Sequence, residues 1–109
     1  MKVEALQGLL NARVLCGTAA GEFDGVYTGD LLSRAMSRVE VGCAWVTIMA
    51  NINVVAVANL TEPAVIVLAE EVVMQQDVLD AAEENGICVM TSPMSAYEIC
   101  CAIGQMAGE

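Results

Sequence analysis

Short apolar runs rich in β-branched residues alternate along this chain with segments whose apolar residues recur at helical spacing. Three of these runs are CAWVTIM from Cys43, AVIVLA from Ala64 and ICVMT from Ile87, and a shorter one, RVLCG, begins at Arg13. Strands that alternate with helices over short connections favour a mostly parallel sheet with helices on both faces. The alternation therefore predicts an α/β fold, a three-layer α/β/α sandwich with about four mostly parallel strands.

Five segments between or beside these runs have helical spacing, and they begin near Val3, Thr28, Asn51, Gln75 and Ser95. The third, NINVVAVANLTEP, also suits a strand because it is rich in β-branched residues, but its position between two strands favours a helix that ends before Pro63. In the fifth, Ser95 and Glu98 have the spacing of a capping box. We expect this helix to be the last element of the fold.

The composition predicts a single domain over residues 1–109. The chain is 57% hydrophobic and 17% charged, which fits strands covered on both faces. A net charge of -10, from 14 acidic and 4 basic residues, argues against nucleic acid and against an anionic membrane surface as partners.

Three asparagines interrupt the apolar residues 43–60, so two buried elements are expected there and no membrane span. The N-terminus lacks the apolar core of a signal peptide, which makes the cytoplasm the expected location.

The five cysteines and the absence of histidine limit the catalytic and metal-binding chemistry open to this chain. Five cysteines occur without a C-x-x-C spacing, and the chain has no histidine, so zinc-finger, thioredoxin-like and Cys-His nucleophile sites are not expected. We interpret the cysteines as small buried core residues in a reducing compartment. Trp45 is interpreted as a core or interface anchor. No catalytic residue, metal site or cofactor is predicted.

A glycine-rich segment connects the first strand to the next helix. Its glycines, Gly17, Gly21, Gly25 and Gly29, recur every fourth residue, a composition that elsewhere cradles phosphate. Here the segment has no lysine and carries Glu22 and Asp24 instead. We therefore expect a long mobile loop over the ligand edge, anchored at Thr28, Gly29 and Asp30. The alternative is a metal- or nucleotide-binding enzyme that handles phosphate esters with Asp24 and Asp30.

The loops after successive parallel strands meet at one edge of a sheet, where helix N-termini also point. Polar residues that follow the strands here are candidates for a small-ligand site, against the alternative that they are ordinary caps and turns. The candidate ligand-binding residues are Thr18, Gly29, Asp30, Asn51, Asn53, Thr91 and Ser92.

Four segments carry a family resemblance that extends from about Val14 to Ile103. They are a D-L-L-S-x-x-M helix at residues 30–36, a W-V-T-I strand at 45–48, N-x-V-A-V-A-x-L at 53–60, and a G-I-x-x-x-T strand at 86–91. In these segments the chain resembles the DRTGG domain family, and through it the N-terminal domain of HPr kinase/phosphorylase. It departs from the family after the third predicted strand, where Glu70 and Glu71 stand in place of T-G-G.

The resemblance implies an HPr kinase N-terminal-domain-like fold and a regulatory or interaction module without chemistry of its own. It also implies a metabolic or hydrogenase-type redox enzyme as partner and, by analogy with attached CBS domains, adenine nucleotides as ligands. An HPr serine kinase-related regulator is an alternative, although the P-loop of that kinase is missing. The high apolar fraction of so small a chain independently predicts a homodimer.

Overall fold

Five helices and five strands make up the computed structural model, which describes residues 1–107. In chain order they are α1 (Ala5–Leu9), β1 (Arg13–Cys16), β2 (Val26–Thr28), α2 (Leu32–Arg38), β3 (Ala44–Thr47), α3 (Ile52–Thr61), β4 (Val65–Leu68), α4 (Gln76–Glu84), β5 (Val89–Thr91) and α5 (Ala96–Ala107). The helix predicted in the ambiguous segment is present as α3, and Glu62 caps it in a left-handed conformation just before Pro63. In the described part of the chain, none of the helices is long and apolar enough to cross a membrane.

The strands form one sheet in the order β1-β5-β4-β3-β2. Neighbours from β2 to β5 are parallel, whereas β1 runs antiparallel to β5 and pairs Arg13 with Thr91. The mostly parallel α/β sheet is confirmed, with five strands in place of about four. The additional strand is β2, whose three residues lie between glycines in the segment predicted to be a loop.

Two apolar cores confirm the three-layer arrangement, because alternate residues of a strand point to opposite faces. Along β3, Trp45 packs with α2, α3 and α4, whereas Val46 packs with α1 and α5 on the other face. Both side chains are fully buried, and so are Ile66 and Val67 in the neighbouring strand. Trp45 is therefore a core residue.

The antiparallel direction of β1 changes where the glycine-rich segment lies. The carboxyl end of β1 is beside the start of β5, since Cys16 pairs with Val89. The segment thus leaves and re-enters the sheet at the edge where β2 to β5 begin. It is fastened there by bonds from the Val3 amide to the Gly21 carbonyl and from the Phe23 amide to the Met1 carbonyl, 3.1 and 2.8 Å long. The prediction that this long loop lies over the ligand edge is wrong.

Candidate functional site

A groove opens at the edge where the parallel strands end, between the β3–α3 and β4–α4 connections. Its volume is about 540 Å³, within the range of small-molecule sites. The lining residues are Ile48, Met49, Ala50, Asn51, Ile52, Val73, Gln75, Asp77 and Val78. The groove lies outside the carboxyl ends of parallel strands, the edge at which open α/β sheets bind ligands, although β3 and β4 are consecutive and the strand order does not reverse between them.

The groove has apolar walls and a few polar groups. Ile48, Ile52 and Val73 line it and remain 42%, 50% and 51% exposed, which is unusual for such large aliphatic side chains. Gln75 and Asp77 bring an amide and a carboxylate to the same groove from the start of α4. This combination can hold a flat apolar group and accept or donate hydrogen bonds at its rim.

A hydrogen-bond network centred on Thr47 shapes the β3–α3 connection. The Thr47 hydroxyl donates to Asp30 Oδ1 at 2.7 Å and accepts from the Met49 amide at 3.1 Å. The same Asp30 oxygen accepts from the Ile48 amide at 2.9 Å. Asp30, which was a candidate ligand residue, therefore fixes the backbone of the groove-lining Ile48 directly, and Thr47 fixes that of Met49.

Gly29 bonds to β3 through its backbone. Its amide donates to the Val46 carbonyl and its own carbonyl accepts from Trp45 Nε1, both at 3.1 Å. The buried indole thereby obtains the partner that it needs. Gly29 joins the end of β2 to the core and does not line the groove.

Asn51 is the N-cap of α3, and its side-chain oxygen accepts from the Asn53 amide at 3.0 Å. This cap satisfies one of the free amides at the helix start. Asn51 also lines the groove, so its side-chain nitrogen is the polar group at the start of α3 that is best placed to bond to a ligand. Asn53 is exposed and acts here through its backbone.

Thr91 and Ser92 are buried at the end of β5, and each hydroxyl donates to a backbone carbonyl at 2.6 Å. The acceptor of Thr91 is Val72 and that of Ser92 is Leu10. Thr91 borders a separate cavity of about 210 Å³ with Arg13 and Glu71 among its lining residues. Both hydroxyls fasten neighbouring segments to the strand and lie outside the groove.

Thr18 lies at the opposite edge of the sheet, after the antiparallel β1, where it lines a surface hollow with Lys2 and Glu22. The expectation that it neighbours the other candidates is wrong. Of the seven candidates, Asn51 alone lines the groove. Sequence reasoning missed Ile48, Met49, Ile52, Val73, Gln75 and Asp77. Apolar residues after a strand resemble more strand, and polar residues at the start of a helix resemble an ordinary solvated first turn.

The acids of the glycine-rich segment do not converge. Asp24 precedes β2 and its amide bonds to the Gly42 carbonyl, whereas Asp30 follows β2 and bonds to Thr47. In residues 1–107, no group of three or more His, Cys, Asp or Glu side chains is arranged to hold a metal ion. The geometry does not favour a phosphate-ester site that uses both carboxylates.

The cysteines divide between the core and α5. Cys16, Cys43 and Cys88 are buried free thiols, as predicted, and burial raises the pKa of all three, that of Cys88 to about 11. Cys100 is half-buried, and burial raises its pKa too. Cys101 is exposed, so the prediction of a buried cysteine is wrong there. The two adjacent residues of a helix cannot both face the sheet.

No protein-family model and no curated protein sequence matches the chain. Among solved structures it is similar to the CBS and DRTGG domains of the regulatory region of Clostridium perfringens pyrophosphatase, which was crystallised with its activator diadenosine tetraphosphate. The TM-score is 0.77 at 13% sequence identity, over 95% of this chain and 46% of that one. The chain thus spans about half the length of that regulatory region. It has a DRTGG-like fold.

Proposed function

We propose that this chain is a non-catalytic regulatory module that senses a small ligand in the groove between the β3–α3 and β4–α4 connections. The observation that carries the proposal is the composition of that groove, in which exposed Ile48, Ile52 and Val73 accompany Asn51, Gln75 and Asp77. Exposed aliphatic groups beside hydrogen-bonding groups are what a ligand pocket requires. Their exposure costs free energy that an occupant would recover.

The chemistry of the groove fits a purine ring. A flat ring can contact the aliphatic walls, and the side-chain amides of Asn51 and Gln75 can bond to ring nitrogens. The Asp77 carboxylate can accept a hydrogen bond from an exocyclic amino group, as adenine has and hypoxanthine lacks. The same carboxylate repels phosphate, so a nucleotide would direct its phosphates out to solvent. An adenine nucleotide activator in a regulatory region of similar fold supports this ligand class.

We further propose that the module forms a homodimer and passes its signal to a metabolic or redox enzyme. Five free cysteines suit a reducing compartment, which supports a cytoplasmic location.

Melting temperatures measured with adenosine, AMP, inosine, inorganic phosphate and Mg²⁺ test the ligand. Adenosine and AMP should raise the melting temperature, inosine less, and phosphate and Mg²⁺ not at all. At about 100 times the dissociation constant, the gain in stability is about 2.7 kcal/mol. Val73→Ser should abolish the shift. Val26→Ser, which changes an exposed valine at the edge where the parallel strands begin, should preserve it. Shifts with Mg²⁺ and phosphate alone, or none with any compound, would contradict the proposal.

A further inference from the structure

The outer surface of α3 carries a continuous uncharged stripe. Its exposed residues are Ile52, Asn53, Ala56, Asn59 and Leu60, which have the spacing of one helical face. We call these five residues the α3 stripe. Leu60 is 70% exposed, and Ile52, which at the other end of the stripe also lines the groove, is 50% exposed. A helix that exposes large aliphatic side chains and no charge on its outer side, as well as being apolar toward the core, is typical of an interface.

Neighbouring apolar side chains enlarge the stripe. Val41 is 75% exposed and lies at its carboxyl end, because the Gly42 amide bonds to the carbonyl of Glu62, which caps α3. Met36 is 46% exposed on the adjacent α2. On the opposite face of the sheet, Tyr97 is 78% exposed, and Val26, which pairs with Ala44 of the α1 and α5 core, is 38% exposed. The face that carries α3 has more exposed large apolar side chains, namely Met36, Val41, Ile52 and Leu60.

The two helices beside α3 carry opposite charge. On one side, α2 exposes Arg34 and Arg38, which are half of the four basic residues of the chain. On the other side, α4 exposes four acids, namely Asp77, Asp80, Glu83 and Glu84, together with the uncharged Gln76 and no basic residue. The face thus has a basic flank, a centre whose exposed α3 residues carry no charge, and an acidic flank, and the acids Glu40 and Glu62 are exposed at its carboxyl end.

This arrangement is complementary to itself in one of two orientations. A two-fold axis in the plane of the interface and along α3 pairs the α3 helices parallel and places each basic flank against the acidic flank of the other copy. An axis across α3 pairs them antiparallel and places like charges together, which is destabilising. Charge therefore selects both the partner, a second copy, and the parallel orientation.

We propose that two copies of this chain associate through the α3 stripe with parallel α3 helices. Arg34 and Arg38 of each subunit then lie opposite Asp80 and Glu84 of the partner subunit, and both pairs have a four-residue spacing. The proposal rests on the homodimer part of the proposed function and gives it a surface and an orientation.

Sedimentation equilibrium tests the surface. The wild-type chain should have twice the mass of the 11.4 kDa subunit at micromolar concentration, and it should dissociate more readily at high salt. Leu60→Lys should weaken association by at least about tenfold. Tyr97→Lys, the matched change of an exposed apolar residue on the other face, should not. A monomeric wild type, or a dimer that tolerates Leu60→Lys, would overturn the proposal.

Charge reversal tests the orientation. Arg34→Glu with Arg38→Glu, and separately Asp80→Lys with Glu84→Lys, should each weaken the dimer by about tenfold, and all four changes together should restore it. In an antiparallel dimer like charges already face each other, so Arg34→Glu with Arg38→Glu would leave the strength of association unchanged. That result would overturn the parallel arrangement. Circular dichroism identifies any variant that fails to fold. The adenosine melting shift of the monomeric Leu60→Lys variant reports on the ligand site separately, so either proposal can fail alone.

Discussion

The carboxylate of Asp30 and the hydroxyl of Thr47 are hydrogen-bonded at 2.7 Å across the carboxyl ends of β2 and β3. Thr47 is 1% exposed, and each of these side chains also accepts a bond from an amide of the β3–α3 connection. The pair therefore joins the edge strand β2 to the wall of the groove.

Breaking this pair should destabilise the protein. Thr47→Val removes a buried hydroxyl and leaves Asp30 and the Met49 amide each without one partner, so the free energy of unfolding should fall by about 1–3 kcal/mol in urea denaturation. Asp30→Ala should cost a similar amount. Asp24→Ala is the control, because this exposed acid at the other end of β2 is bonded through its backbone, and its effect should stay within about 0.5 kcal/mol. Equal effects at Asp24 and Asp30 would contradict this role.

The sequence predicted the layers of the fold because local patterns carry that information. The Ser95–Glu98 capping box follows from spacing and is present with bonds of 3.0 and 3.2 Å, and the helix α3 follows from its position between two strands. The direction of a strand is not local. The run from Arg13 looks like the parallel strands, and its pairing with Thr91 depends on the whole sheet.

The groove could be predicted only in part, for a related reason. Asn51 was identified because it is a polar residue that follows a strand, at the edge where the loops after parallel strands meet. Ile48 and Val73 gave no such signal, since an aliphatic residue beside a strand or helix is usually buried, and exposure is decided by tertiary packing. The short β2 was missed because three residues between glycines have no measurable period.

Two glycines of the glycine-rich segment should respond differently to alanine. Gly17 has φ +77°, and an added Cβ would lie 2.5 Å from the Ile87 carbonyl oxygen and 2.7 Å from the Cys88 Cα. Gly21 has φ +78° and open space around it. We expect Gly21→Ala to cost about 1–2 kcal/mol for the left-handed backbone alone, and Gly17→Ala about 2–4 kcal/mol because β1 must also move away from β5. Thermal or urea unfolding measures both, and equal losses would contradict the close approach.

Glu70 and Glu71 adopt left-handed backbone conformations, with φ of 58° and 61°, where the resemblance to DRTGG domains places glycines. Their amides bond to the carbonyls of Met94 and Ser92, so the turn is held by the β5–α5 connection. Glu70→Gly or Glu71→Gly should raise the free energy of unfolding by about 0.5–1 kcal/mol each, since the relieved strain exceeds the added flexibility of the unfolded chain. Glu70→Gln removes the charge and retains the strain. A gain as large in Glu70→Gln would show that charge repulsion is the cause.

Stability should decline in alkaline solution because of the buried Cys88 thiol. Burial raises its pKa from 9.0 to about 11, so the folded chain keeps the proton in a range where the unfolded chain releases it. The stabilising contribution is therefore complete below a pH of about 9 and is lost as the pH rises toward about 11. The raised pKa values of Cys16 and Cys43 act in the same direction. Urea unfolding at a series of alkaline pH values should show a shallower decline for Cys88→Ala than for the wild type. Parallel curves for Cys88→Ala and the wild type would assign the decline to other groups.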